Sequence, residues 1–122
     1  MTNKAFEISE AELEVMKVLW KNKGPMALQG ICDALITKEW KYTTISTLLS
    51  RLVEKGAVQY DKKGKTNYYF SNIKEEDYKQ LQTKTLVSKL YDGSVKKLAV
   101  SLFKNGELSK ADIDEIKEMF DL

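Results

Sequence analysis

Apolar residues recur at spacings of three and four along most of the chain. Leu13, Met16, Val18, Leu19 and Trp20 give a wide apolar face, preceded by Ser9 with Glu12 three residues on. That arrangement is a capping-box signature, so the spacing predicts a helix from Ser9 to about Asn22, broken by Gly24-Pro25. Met26-Ala27-Leu28 reads as a short strand pairing with a later hairpin. A second helix is expected over Leu28 to Ile36, with Ile31, Leu35 and Ile36 inward, and Thr37-Lys38-Glu39-Trp40 turns the chain. In the next helix Ile45, Leu48, Leu49 and Leu52 share the apolar face, with Thr43, Thr44, Ser46, Thr47, Ser50 and Arg51 on the other.

That polar face is the most informative pattern in the sequence. Small hydroxyl residues are poor helix formers, because their oxygens compete for backbone partners. A surface helix without a further duty usually carries Glu, Lys or Gln instead. Short hydroxyl side chains and an Arg suit a helix that lies in the DNA major groove. They let the backbone approach, contact phosphates and meet thymine methyls, while Arg pairs with guanine or phosphate. Taken alone, the face is equally compatible with a helix that only packs.

Gly56 stands where a helix ends in a left-handed cap. Two runs rich in Val, Tyr, Thr and Phe then flank Lys62-Lys63-Gly64-Lys65, which predicts a hairpin with a basic tip. Lysines at a strand edge also discourage aggregation. A helix of this kind followed by a basic hairpin is nevertheless the order of a winged helix-turn-helix domain, whose wing lies along the phosphate backbone. Trp40, beside the recognition helix, is expected to tuck beneath it.

From Lys74 onward the character is helical. Tyr78, Leu81, Leu86, Leu90 and Tyr91 line one long helix ending near Asp92-Gly93. Val95, Leu98, Ala99, Leu102 and Phe103 line the next, stopped by Asn105-Gly106. Ser109 caps a last helix with Ile113, Ile116, Met119 and Phe120 on its inward face. The expected fold class is therefore mainly α with a small β-hairpin. Residues 1–72 form a winged helix-turn-helix domain and residues 73–122 a helical dimerisation region. A second copy of the chain is the economical cover for those late apolar faces, especially Leu90, Leu98, Leu102, Phe103, Ile113, Ile116 and Phe120.

Charge sharpens the reading. The chain of 122 residues carries a net charge of only +2. Residues 38–65, however, hold six Lys and one Arg against Glu39, Glu54 and Asp61. The positive charge is concentrated where the helix and hairpin would meet DNA. There is no histidine, nucleophile elbow, phosphate-binding glycine loop or paired-cysteine motif, which argues against an enzyme and against a metal or other cofactor. The lone Cys32 lies among Leu28, Ile31 and Leu35 and reads as a buried structural thiol in a reducing cytoplasm. No apolar run approaches the length of a membrane span, and the N-terminal stretch has no secretion h-region.

The sequence resembles the penicillinase-repressor family of winged-helix transcription factors, which also includes copper-responsive repressors, from about Ile8 to Phe120. The marks are Ser9-Glu10-Ala11-Glu12 with Val18-Leu19-Trp20, then Thr44-Ile45-Ser46-Thr47-Leu48-Leu49-Ser50-Arg51-Leu52 closing on Lys55-Gly56. Tyr68-Tyr69-Phe70-Ser71 ends the wing and Leu108-Ser109 opens the last helix. The resemblance implies a homodimer that represses by covering promoter DNA, with the N-terminal winged helix on DNA and the C-terminal helices intertwined. Two features depart from the family. Its copper branch has a cysteine cluster near the C-terminus, whereas Cys32 is the single cysteine here. Its β-lactam branch is inactivated by proteolysis at an Asn-Phe bond, and the corresponding bond here is Ser101-Leu102.

The resulting expectation is a cytoplasmic, dimeric repressor of β-lactam-resistance or related stress genes, bound to a palindromic operator in double-stranded DNA. Lys41, Thr43, Thr44, Ser46, Thr47 and Arg51 would face the major groove, and Lys62, Lys63 and Lys65 the phosphates. Arg51 has a second possible partner in Glu54, three residues on. The competing expectation is a winged-helix protein-interaction adaptor. Such a surface should show apolar or aromatic anchors, for which Trp40 and Tyr42 are the candidates near the helix.

Overall fold

Ser9 Oγ accepts a hydrogen bond from the Glu12 backbone N–H at 3.2 Å, and the Glu12 carboxylate accepts one from the Ser9 N–H at 2.8 Å. This reciprocal cap starts α1 (Glu10–Lys21) in the computed structural model, which describes residues 4–119. Then come β1 (Met26–Ala27), α2 (Leu28–Ala34), α3 (Tyr42–Lys55), β2 (Val58–Lys63) and β3 (Thr66–Ser71). α4 (Glu75–Leu90), α5 (Val95–Lys104) and α6 (Lys110–Met119) follow. The strands form one antiparallel sheet in the order β1-β3-β2, with Met26 opposite Tyr69 and Val58 opposite Ser71. The architecture is the mainly helical one expected, with a basic hairpin and a two-residue strand at Met26.

α3 is held by packing more than by propensity. Ile45, Leu48, Leu49 and Leu52 are all buried. Each such burial stabilises by roughly 1.5–3 kcal/mol. The hydroxyl residues on the other face cost only about 0.5 kcal/mol each in propensity. The buried stripe meets Val15, Met16 and Leu19 of α1, Ile31 of α2, Leu35, and Ala57 and Val58 at the start of the hairpin. Trp40 packs half-buried against this core. Gly56 closes the helix at φ 84°, where the N–H groups of Gly56 and Ala57 donate to Val53 O and Leu52 O, each at 3.0 Å. This pairing satisfies the last carbonyls, and the left-handed φ favours glycine.

α2 is shorter than its apolar pattern suggests. It ends at Ala34, and the chain tightens into a 3-10 turn over Ile36–Lys38, with Glu39 in the left-handed region at φ 57°. The turn carries Ile36 outward, 72% exposed, while Leu35 takes the core position. The expectation that Ile36 points inward is therefore corrected: a helical period assigns faces only as far as the helix runs. Cys32 is half-buried against the core, and burial, aided by the Asp33 charge, pushes its thiol pKa up. A raised pKa disfavours the reactive thiolate.

Glu12 is the buried acid of this core. Lys55, the last residue of α3, donates to its carboxylate at 2.5 Å and to the Glu7 carbonyl at 2.7 Å. Burial alone would raise the Glu12 pKa, but the Lys55 hydrogen bond, the Ser9 bonds and the Lys55 charge together hold it below the ordinary value. A lowered folded-state pKa means that this contribution is whole above the unfolded glutamate range. It is lost as the pH falls through the lowered value. Glu12→Gln is expected to cost about 1–3 kcal/mol at neutral pH, because Lys55 loses its charged partner. The variant should also lose less stability than the wild type on acidification. Denaturant unfolding at several pH values checks this, and parallel pH profiles would contradict it.

The chain divides after Tyr78 into two compact units. The sequence change at Lys74 suggests an earlier boundary, but the first turn of α4 belongs to the winged helix. Trp20 Nε1–H donates to Ser71 Oγ and Ile73 O, each at 3.0 Å, and its ring lies 5.6 Å from that of Tyr78. In the second unit Val87 is buried, while Leu98, Ala99 and Ile113 are half-buried. Ser94 caps α5 and Ser109 caps α6 through the Lys97 and Asp112 N–H groups, at 3.1 and 3.0 Å. Ser101-Leu102 lies inside α5, where the Tyr91 hydroxyl reaches Ser101 Oγ at 3.3 Å.

Candidate nucleic-acid interface

The outward face of α3 carries Thr43, Thr44, Thr47 and Arg51 exposed and Ser46 half-buried, with exposed Lys41 at the N-cap position. Thr43, Thr47 and Arg51 are four residues apart and so form one stripe. Thr47 Oγ1–H donates to the Thr43 carbonyl at 2.9 Å. With that proton engaged, the exposed Thr47 keeps a methyl group and an acceptor oxygen, groups that suit a thymine methyl or a base amino group. The Glu54 ion pair open to Arg51 is absent among the described residues, which leaves the guanidinium available.

The hairpin turns through Gly64 and Lys65 between the paired residues Lys63 and Thr66, with Gly64 at φ 64°. Positive φ at the first turn position of a two-residue hairpin is a role glycine fills without steric cost. Lys62, Lys63 and Lys65 are all exposed. The register separates two of them: Lys62 lies opposite Asn67 and Lys63 opposite Thr66. Successive strand residues point to opposite faces, so Lys62 shares the face of Val58 and Tyr69, and Lys63 the outer face. There Lys63 Nζ sits 5.8 Å from the centre of the Tyr68 ring. The basic run is thus a two-sided feature that cannot press all its charges on one phosphate.

A recess of about 330 Å³ lies between α2, the start of α3 and the wing, lined in part by Gln29, Tyr42, Lys65 and Asn67. Gln29 and Asn67 do not emerge from helical or strand periodicity. The available signal for Asn67 was its place in a strand, where Asn is depleted. Tyr42, a candidate apolar anchor by sequence, is 57% exposed at the first turn of α3.

The residues expected to join two chains fall into two groups. Leu90, Leu102, Phe103 and Ile116 are exposed, and Leu98 and Ile113 half-buried. Phe120 lies outside the described residues. Among the described residues, no group of His, Cys, Asp or Glu could hold a metal ion, and no helix is long and apolar enough to cross a membrane.

Comparison with known proteins agrees with this geometry. The model of a family described as penicillinase repressor matches residues 8–121. A penicillinase repressor of Staphylococcus aureus is 38% identical over 119 residues, covering 98% of this chain and 94% of that protein. The methicillin resistance regulatory protein MecI of Staphylococcus aureus (strain N315) is 34% identical over 119 residues, with 98% and 97% covered. Among solved structures, the DNA-binding domain of the repressor BlaI aligns with a TM-score of 0.56 at 42% identity, covering 63% of this chain and 94% of that one.

Proposed function

The chain belongs to the penicillinase-repressor family, and from that premise we propose that it is a cytoplasmic, non-enzymatic repressor that binds a palindromic DNA operator as a homodimer. The observation that carries the proposal is the joining of an exposed Thr43–Thr47–Arg51 stripe to a lysine-tipped wing. In this reading Lys41, Thr43, Thr44, Ser46, Thr47 and Arg51 meet the major groove. Lys62, Lys63 and Lys65 hold phosphates on either side of the wing. The DNA contacts fall within residues 1–72, and within the 73–122 helical region the dimer contacts fall after Tyr78, with Leu90, Leu98, Leu102, Phe103, Ile113, Ile116 and Phe120 at their centre. The names of its relatives point to β-lactam-resistance or related stress genes as its targets.

Repression follows from occupancy. Two winged helices related by two-fold symmetry read two half-sites, and the bound dimer covers the promoter. Phosphate contacts fix position without carrying sequence, whereas the α3 stripe discriminates between bases. Selection from a random duplex pool is expected to return a two-fold symmetric site. On that site Lys63→Ala and Lys65→Ala should each lower the slope of log affinity against log salt by about one unit, on selected and random DNA alike. An asymmetric site would argue against the dimeric reading, and an unchanged slope against the wing contacts.

A further inference from the structure

The recess between the recognition helix and the wing gathers, beside Lys65, side chains that take no part in the groove and wing contacts proposed above. Tyr42, Lys65, Asn67 and Gln29 bring a phenol, an ammonium and two amides to it, and Leu28 and Tyr69 also line it. No carboxylate lines it. Gln29 Nε2 spends one donor on Asp33 at 2.9 Å. No described residue engages the side chains of Tyr42, Lys65 or Asn67 in a hydrogen bond or ion pair. Lys62 stands opposite Asn67 in the register and adds charge on the same face of the wing.

The larger recess of about 590 Å³, beside α1, is different. There Glu14 lies 3.9 Å from Lys17 and 3.6 Å from Lys38, so the basic rim is already partly neutralised within the chain. The smaller recess instead offers several donors and one cation with no built-in anion. A ligand fitting it carries an anionic acceptor group on a less polar body.

We infer that this recess seats one phosphodiester of the DNA backbone together with its deoxyribose. The Tyr42 hydroxyl, the Asn67 amide and the Lys65 ammonium donate to the phosphate oxygens, and the sugar rests on Leu28 and Tyr69. The inference rests on the DNA-binding reading, because it places the phosphate where a strand passes from α3 to the wing. Its consequence is a fixed spacing between the two: the seated phosphate sets how far the wing lies from the groove that α3 enters. Tyr42 and Asn67 are positioning residues for base readout rather than readers themselves.

The test uses the full chain and a duplex selected by it, prepared as a series with one neutral methylphosphonate at each successive position. The wild type should lose about tenfold in affinity at one phosphate of each half-site, the loss of a charge-assisted contact. Tyr42→Phe and Asn67→Ala should each lose about tenfold on the unmodified duplex and little more on that one methylphosphonate duplex. Their salt slopes should stay at the wild-type value, because no charge is removed. Lys63→Ala, on the outer face of the wing, serves as the independent control, and its loss should add to that of the modified phosphate. Thermal unfolding should be unchanged in Tyr42→Phe, since the ring is retained and exposed. Variants that bind like the wild type, or whose losses add at every position, overturn the seat while leaving the repressor reading intact. A wild type that selects no duplex overturns both.

Discussion

Phe103→Asp is expected to convert the protein to a monomer at micromolar concentration and to weaken binding to its DNA site by about a hundred- to ten-thousand-fold. Phe103 is half exposed on α5, and Leu90, Val95, Ile116 and Met119 are exposed around the same unit. Soluble monomers rarely leave so much large apolar surface uncovered in a region this small. A second copy that covers it would desolvate the new carboxylate without a partner, which is costly. Because Phe103 is open in the single chain, the substitution should spare the fold of each unit and act on assembly. Leu102 is less exposed, so its replacement would mix the two effects. The loss on DNA follows from tethering: once one half-site is held, the second winged helix binds at high effective concentration without any new contact.

Ending the chain after Tyr78 should do the same, leaving a folded monomeric winged helix. Ending it after Asn72 would also strip Trp20 of its bond to Ile73 O and its ring partner Tyr78, and so would damage the core it caps. Light scattering and DNA titration on these chains decide the matter. A full-length monomer, or a dimer that survives removal of residues 79–122, would sink the interface assignment.

Thr47→Trp is the second large effect, and it should separate recognition from attachment. Thr47 is exposed at the middle of the α3 stripe, with its hydroxyl proton held by Thr43 O. An indole there has no buried contact to lose, so stability should change by about 0.5 kcal/mol or less. Its bulk instead keeps the helix backbone from approaching the base edges. Preference for the selected site over random DNA, which spans about a thousandfold or more for a specific regulator, should fall to about tenfold or less. The salt slope should persist, because the lysines and Arg51 remain. Competition titrations with random duplex measure the ratio directly. Retained preference would move base reading away from Thr47.

The winged half was legible because its signals are local and agree with one another. Ser9 with Glu12, Gly56 after Lys55 and Gly64 between lysines each name a backbone event that the structure contains. The alternation of apolar and hydroxyl residues in α3 assigned its two faces correctly, since a four-turn helix keeps its period throughout. Ile36 failed for the opposite reason. Its apolar spacing continues that of α2, but the backbone leaves the helix at Leu35, and the continued period pointed it inward when it faces out.

What the amino-acid order determined on its own was therefore the type and extent of most elements, the buried stripe of α3 and the basic character of the wing, because these depend on neighbours within a few residues. Tertiary structure alone decided the rest. The pairing register set Lys62 opposite Asn67 and Lys63 opposite Thr66. Packing of Trp20 on Tyr78 drew the first turn of α4 into the winged-helix unit. The fold gathered Gln29, Tyr42 and Asn67, from three different elements, around one recess. It joined Glu12 to Lys55 across forty-three residues. Contacts of that kind depend on where elements meet in space, which no period of two or of 3.6 residues encodes.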